Sequence, residues 1–322
     1  MNIEFCCAMI LDMALLEARI ANIPGFHVFK GRGTPEGEGP YNMITAGIHG
    51  DETPGIAAGR RLLPYLRDNL EQGTIIFAWG NLDAMATKTR ATAPDRNLNR
   101  MFRLAADLTP EQRATPEYAR AQLLRIPLKK GTPVQALLDL HGTTNSVTTP
   151  HVITEAQGYD LASYLPVDTV VSGFDEFEPG GIDHYANTQD KKGICVESGY
   201  NGDPESNGDP ESIERAYQSA LAFLVAQGHV SGEVARRIQT HWRLFYVHKT
   251  KVHYVPVEPI LPDFAPVVQG QLLGHDGAEE VKVPSAPDAP TEAIILFGAK
   301  EREPGAEAFL LAQREEDVRQ SA

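Results

Sequence analysis

Residues 41–52 read Tyr41-Asn42-Met43-Ile44-Thr45-Ala46-Gly47-Ile48-His49-Gly50-Asp51-Glu52. The run from Tyr41 to Ile48 reads as a buried strand, and it leads straight into a histidine and a glutamate three positions apart. Downstream, Ile56, Leu62, Leu63, Leu66 and Leu70 lay an apolar stripe along a helix from Gly55 to Leu70. Pro64 lies inside that stripe and implies a kink. Thr74 to Trp79 (TIIFAW) is a second strand, closed by Gly80-Asn81. Strand, helix and strand in succession are the opening of an α/β layer structure.

Farther out the alternation continues. Asp95 to Phe102 is polar and irregular, and Thr109-Pro110-Glu111-Gln112 has the form of a capping box with proline at the first helical position. A helix is expected from there to about Arg125. Val134 to Leu140 is an apolar strand ending at His141, Val167 to Val171 is a short strand, and Gly193 to Val196 is another that stops at Glu197. Ser212 caps a helix whose apolar face is Ile213, Ala216, Tyr217, Ala220, Leu221 and Leu224, and Gly228 ends it. Beyond residue 240 no helical pattern intervenes. Arg243 to Lys249, Lys251 to Val257, Pro266 to Leu273, Glu279 to Val283 and Glu292 to Phe297 read as strands punctuated by Pro and Gly. The chain therefore divides into residues 1–240, an α/β unit, and 241–322, a β-rich unit, with 299–322 read as a polar tail. The hexapeptide Asn201 to Ser206 (NGDPES) repeats at once as Asn207 to Ser212, a local duplication in a surface loop.

The 322 residues carry a formal net charge of -14, with 42% hydrophobic and 22% charged positions. That is an ordinary globular mixture. Its acidic balance argues against a nucleic-acid partner, which needs a basic face. An anionic substrate would have to be captured by a local arginine cluster against the global field. Cys6 and Cys7 are adjacent and Cys195 stands alone, so no thiolate zinc spacing or disulfide framework is present. No basic leader precedes the apolar patches of the N-terminus, and no apolar run reaches the ~20 residues of a membrane span. A cytoplasmic location without membrane contact is the expectation.

Four constellations carry chemistry. His49 and Glu52, at a strand end with Gly47 and Gly50 to bend the backbone, can turn toward one point as catalytic zinc ligands do. The same pattern also describes a solvated loop histidine beside a helix-capping acid. Asp139-Leu140-His141 puts a histidine at the carboxyl edge of the sheet, where open α/β sheets hold ligands. There Asp139 is an acceptor that can orient another group; the pair also fits a plain structural hydrogen bond. Val196-Glu197-Ser198-Gly199 presents a carboxylate at another strand end, suited to a general base near a metal-activated water. Asp95-Arg96-Asn97-Leu98-Asn99-Arg100, with Arg90 upstream, is either an anion clamp or a solvated basic loop.

In order along the chain these are HGDExxG, a GNLDA turn, NLNRxF, DLH and VESG. Together they resemble the succinylglutamate desuccinylase/aspartoacylase family of the zinc carboxypeptidase clan, over roughly residues 40–225. The resemblance implies a mixed central sheet flanked by helices, with a smaller C-terminal all-β domain around Gly270-Gln271-Leu272-Leu273-Gly274. It implies one zinc ion per chain, held by His49, Glu52 and His141, with Glu197 as catalytic glutamate. Asn99 and Arg100 match the pair that grips the substrate carboxylate. Two positions depart from the family pattern. Asn97 stands where an aspartate is usual, and the arginine that polarises the scissile carbonyl would fall, by strict spacing, on Thr92, with Arg90 two residues earlier.

The implied activity is zinc-dependent hydrolysis of the amide bond of a small N-acyl amino acid or related carboxylate-bearing amide. A zinc carboxypeptidase or amidase acting on peptides, and a metal-binding pseudoenzyme, are the alternatives. A second domain that narrows the cleft would favour the small substrate, and retention of Glu197 beside a full ligand set counts against the pseudoenzyme. A homo-oligomer is compatible with the sequence.

Overall fold

Tyr41–Ala46 is a strand with all six residues buried in the computed structural model, which describes residues 13–33, 35, 38–93, 95–203, 206–257, 261–285, 292–298 and 301–315. Cys6 and Cys7 lie outside the described residues. In chain order the elements are helix α1 (residues 13–21), β1 (Phe26–Lys30), β2 (Tyr41–Ala46), α2 (Thr53–Asn69), β3 (Thr74–Trp79), α3 (Leu82–Thr87), α4 (Pro110–Arg113), α5 (Pro116–Leu124), β4 (Ala136–Thr143), β5 (His151–Thr154), α6 (Tyr159–Ala162), β6 (Thr169–Ser172), α7 (Phe174–Phe177), α8 (Ile182–Thr188), β7 (Lys192–Tyr200) and α9 (Pro210–Ala226). Then follow β8 (Thr240–Lys249), β9 (Tyr254–Pro256), β10 (Pro266–Val268), β11 (Leu272–Asp276), β12 (Glu279–Lys282), β13 (Glu292–Leu296) and β14 (Glu307–Arg314).

Eleven strands make one mixed sheet in the order β1-β3-β2-β4-β7-β5-β6-β8-β14-β13-β10, and β12-β11-β9 form a separate antiparallel sheet. The inner strands β3, β2, β4 and β7 run parallel. Their alternation sorts side chains to two faces. Ile44, Phe77, Leu138 and Val196 pack under α2 and α9, while Met43, Ile76 and Leu137 pack with Ala121 of α5 and Ile182 and Ala186 of α8. Asp139 and His141 share the parity of Leu137, so they face the α8 side. No described helix is long and apolar enough to cross a membrane.

Several sequence expectations are corrected. Helix α2 continues through Pro64, as the apolar stripe implied; Pro64 and Arg60 both face solvent, and water can serve the Arg60 carbonyl that loses its N–H partner. The helix expected from Thr109 to Arg125 is two. Thr109 forms its capping box, but Pro116 disfavours helical backbone at Thr115, which instead caps α5 through Tyr118 N. His141 and Glu197 lie within β4 and β7, not beyond their ends, because both strands continue past these residues as paired ladder. The stretch read as Pro266 to Leu273 is two strands, separated by a turn in which Gly270 has φ +74°. The polar tail contains β14, whose Ala308–Ala312 core is fully buried; its flanking charges mask that short apolar run.

The duplicated hexapeptide divides its work. In the second copy Asp209, not Ser212, is the N-cap of α9, accepting from Ser212 N (2.9 Å) and Oγ (2.8 Å), with Pro210 at the first turn. In the first copy Asn201 is tied to the end of β4 and the start of α2. Its N–H donates to Thr143 O (2.8 Å) and its carbonyl accepts from Thr53 Oγ1 (2.5 Å).

Candidate metal centre and its cavity

The turn after β2 is made by two glycines. Gly47 has φ +72°, and a Cβ on Gly50 would meet the Ala84 carbonyl carbon at 2.1 Å. This tight path against α3 turns His49 inward and leaves Glu52 as the residue preceding α2. His141 comes from β4, and its ring meets that of His49 edge-on at 5.3 Å. The three side chains are buried, with one ligand atom of each within 4.8 Å of the others, a grouping that could hold a metal ion.

The hydrogen bonds say which atoms face the centre. Asn97 Oδ1 accepts the Asn99 N–H (2.9 Å), which fixes the orientation of its amide. The same oxygen lies 2.9 Å from His49 Nε2, so Nε2 carries the proton and donates. His49 Nδ1 lies 2.6 Å from Glu52 Oε1 in hydrogen-bond geometry, and it is the ring nitrogen that would turn its lone pair to a metal held there. His141 repeats the arrangement. Its Nε2 donates to Asp139 Oδ2 (2.6 Å), Asp139 Oδ1 accepts from Thr45 Oγ1 (2.6 Å), and Nδ1 lies 2.7 Å from Glu52 Oε2 without hydrogen-bond geometry. Two Nδ1 atoms and one carboxylate converge, and both outer nitrogens are held by oxygen acceptors. This is the donor set and the outer support of a histidine–carboxylate metal site, and the residues fit zinc.

Burial sets much of the local electrostatics. It holds His49 down at about 4, with Arg90 adding to the effect. For His141 burial opposes the charge, but Asp139 and Glu52 outweigh it and raise the ring well above its usual range. For Glu52 burial likewise opposes ionisation, and the two histidines overcome it and hold the carboxyl low. Glu197 is the register partner of His141 across β4 and β7. Its Oε2 is buried without a hydrogen-bond partner, and burial, then the Glu52 carboxylate, push it up to about 8.

These groups line a cavity of about 940 Å³. Arg90 reaches it, with Nη1 3.3 Å from Glu52 Oε1, whereas Thr92 is turned away to Glu117. Asn99 lines the cavity while its Oδ1 accepts from Ile182 N (3.2 Å). Arg100 is already engaged. Its Nη2 pairs with Glu178 (3.1 Å) and Glu307 (3.2 Å), and Lys249 pairs with the other oxygen of Glu178. Sequence reading missed Glu178, Asp183, Lys249, Arg302 and Glu307, all in the lining. The Gly-rich Glu178-Pro179-Gly180-Gly181 turn is the one available signal for the first two; the others stand in strands and turns whose local pattern carries no link to His141.

The profile of the succinylglutamate desuccinylase/aspartoacylase catalytic domain matches residues 38–224. An N-alpha-acetyl-L-2,4-diaminobutyric acid deacetylase from Halomonas elongata is 28% identical over 258 residues, 74% of this chain and 71% of the relative. Among solved structures, a succinylglutamate desuccinylase from Vibrio parahaemolyticus superposes with a TM-score of 0.68 at 18% identity, covering 90% of this chain and 86% of that one. A succinylglutamate desuccinylase/aspartoacylase from Rhodobacter sphaeroides gives 0.65 at 20% identity, with coverages of 90% and 89%. At these identities the two structures speak for the fold.

Proposed function

The chain belongs to the succinylglutamate desuccinylase/aspartoacylase family, and on that premise we propose that it is a zinc-dependent deacylase cleaving the amide bond of a small N-acyl amino acid. The observation that carries this reading is the convergence of His49 Nδ1, His141 Nδ1 and Glu52, with Asn97 and Asp139 tying the outer nitrogens. When bound there, zinc supplies Lewis acidity toward a carbonyl and makes water a better acid.

The protein's own residues do the rest. Glu197, which lines the cavity with one buried oxygen unpartnered, takes in its ionised form the proton of the attacking water and returns it to the leaving amine. Arg90 stabilises the charge that develops on the acyl oxygen; losing one such donor typically costs ~3–4 kcal/mol. Asn99 and Arg100 position the substrate carboxylate, Arg100 by sharing or exchanging its present partners Glu178 and Glu307. In this reading residues 1–240 are the catalytic domain and 241–322 a β-rich domain that narrows the cleft. Lys249, Phe297, Arg302 and Glu307 in the lining support a small substrate over a peptide. The Halomonas relative, named for an acetylated diamino acid, supports a short acyl group on an amino acid.

The test is metal analysis of the isolated protein with a hydrolysis screen over N-acyl amino acids and short peptides. About one zinc per chain and turnover of the N-acyl amino acids is the expected result. Turnover of peptides alone would make it a peptidase, and metal without turnover a binding protein.

A further inference from the structure

Most charged groups of the cavity fall into pairs, and two buried carboxylates, Glu197 and Asp183, do not. Arg90 stands against Glu52, Arg100 against Glu178 and Glu307, Lys249 against Glu178, and His184 against Asp175 (3.2 Å). Asp183 lines the same cavity and is only 8% exposed. Among the described residues its carboxylate has no ion pair, and it accepts from the backbone N–H of His184. Its closest acidic influences, Asp175 and Asp139, oppose its charge, while His141 favours it. The carboxylate folds back over Gly181. A Cβ there would meet Asp183 Oδ1 at 2.3 Å and Asn99 Oδ1 at 3.5 Å, so two acceptor oxygens stand beside one patch of the cavity wall. An ionised carboxylate kept from water without a cation is costly, and a ligand that brings the cation removes that cost. Arg302 is the complement. It also lines the cavity, and its guanidinium donates to the backbone carbonyls of Glu307 and Glu301, with no carboxylate partner among the described residues.

We propose that Asp183 is the specificity-determining residue of this cavity, reading a cationic amine on the amino-acid part of the substrate, so that the substrates are N-acyl diamino acids. The inference rests on the deacylase reading and narrows its substrate class. Burial raises the Asp183 carboxyl to about 6, which leaves it ionised at neutral pH, and the Arg100 guanidinium that feels its charge is already paired with Glu178 and Glu307. As an acid in the first turn of α8 it also suits the helix start. Asparagine and serine suit that position too, and this separates the two roles.

The experiment compares kcat/KM on Nα-acetyl-2,4-diaminobutyrate and Nα-acetylornithine with that on Nα-acetylnorvaline, their neutral counterpart, for the wild type, Asp183→Asn and Asp183→Ser. A charge-assisted hydrogen bond is worth ~1.5–3 kcal/mol, so the wild type should favour the cationic pair by about 10–100-fold. Both variants should lose that preference, their kcat/KM falling about 10-fold or more on the cationic pair and far less on Nα-acetylnorvaline. Calorimetry of free ornithine on the zinc-loaded protein gives a second readout: binding to the wild type, weakened about 10-fold or more in both variants. No cationic preference in the wild type, or an equal loss on cationic and neutral substrates in both variants, overturns the proposal. Asp183-dependent ornithine binding without hydrolysis of any acyl compound would instead sink the deacylase reading and leave the recognition of a diamino acid standing.

Discussion

Asn97 Oδ1 lies 2.9 Å from Nε2 of His49 and accepts, through the same oxygen, the backbone N–H of Asn99. An amide held in this way can orient the ring but brings no charge to it. Asn97→Ala should therefore weaken zinc binding about 10–100-fold, the usual effect of removing an outer partner. Asn97→Asp, placing a carboxylate against the ring, should bind zinc at least as tightly as the wild type. Competition titration with a chromogenic chelator measures both. Unchanged affinity in Asn97→Ala would remove this residue from the support of the centre.

His49→Ala and His141→Ala should both lose zinc, but their folding costs should differ. His141 is the partner of Asp139, a fully buried carboxylate. Removing it leaves an uncompensated charge in the sheet, a loss of ~3–5 kcal/mol. His49 faces neutral Asn97 on one side and Glu52 on the other, and because burial holds it neutral and Glu52 keeps His141, its removal should cost clearly less. Urea denaturation of the two metal-free variants against metal-free wild type decides this; equal midpoints would mean that Asp139 finds another partner or a proton.

Glu197→Gln preserves the shape of the side chain and removes its ability to accept a proton. The variant should keep zinc and lose about 10²–10⁴-fold in turnover. Zinc analysis and single-turnover rates on the best substrate are the measurements. Near-normal turnover excludes Glu197 as the base, and loss of zinc makes it a ligand.

His229 predicts a pH dependence of folding that is independent of the metal. Its ring is fully buried, with Nδ1 at 2.9 Å from Gln72 O and Nε2 at 2.9 Å from Asn42 Nδ2. The carbonyl takes the first proton and the amide donates to the lone pair, so the ring is neutral. Burial lowers it from 6.5 to about 4. A depressed pKa means that protons favour the unfolded chain. The stabilisation is present above about pH 6.5 and is lost as pH falls toward 4. At 1.36 kcal/mol per pKa unit the contribution is about 3 kcal/mol. The urea midpoint between pH 7 and 4 should fall less steeply in His229→Gln than in the wild type; identical slopes would refute the assignment.

The legible part of the molecule is local. Tyr41 to Ile48 and Thr74 to Trp79 announce buried strands by composition, and His49, Glu52, His141 and Glu197 stand out because chemically useful side chains follow short apolar runs. What the chain does not announce is pairing across distance. That Glu178 and Glu307 both reach Arg100 depends on β14 lying beside β8, and nothing within either segment specifies that register. Thr92 and Arg90 show the same limit at small scale. Spacing favoured Thr92, and the path of the loop carries Arg90 to Glu52. Pro64 marks a different limit, since its cost in a helix depends on whether water can reach one carbonyl.

The position of β14 bears on how the molecule assembles during synthesis. It lies between β8 and β13, both of which leave the ribosome before it. Until it arrives, each of those strands presents an unpaired edge, and unpaired edges are where nascent chains associate with the wrong neighbour. β14 reaches the sheet with the fully buried run Ala308–Ala312, and it brings Glu307, the second carboxylate on Arg100. Closing the exposed edges and finishing the cavity wall are thus one event, and a nascent chain that has not passed Arg314 carries His49, Glu52 and His141 without the complete chamber around them.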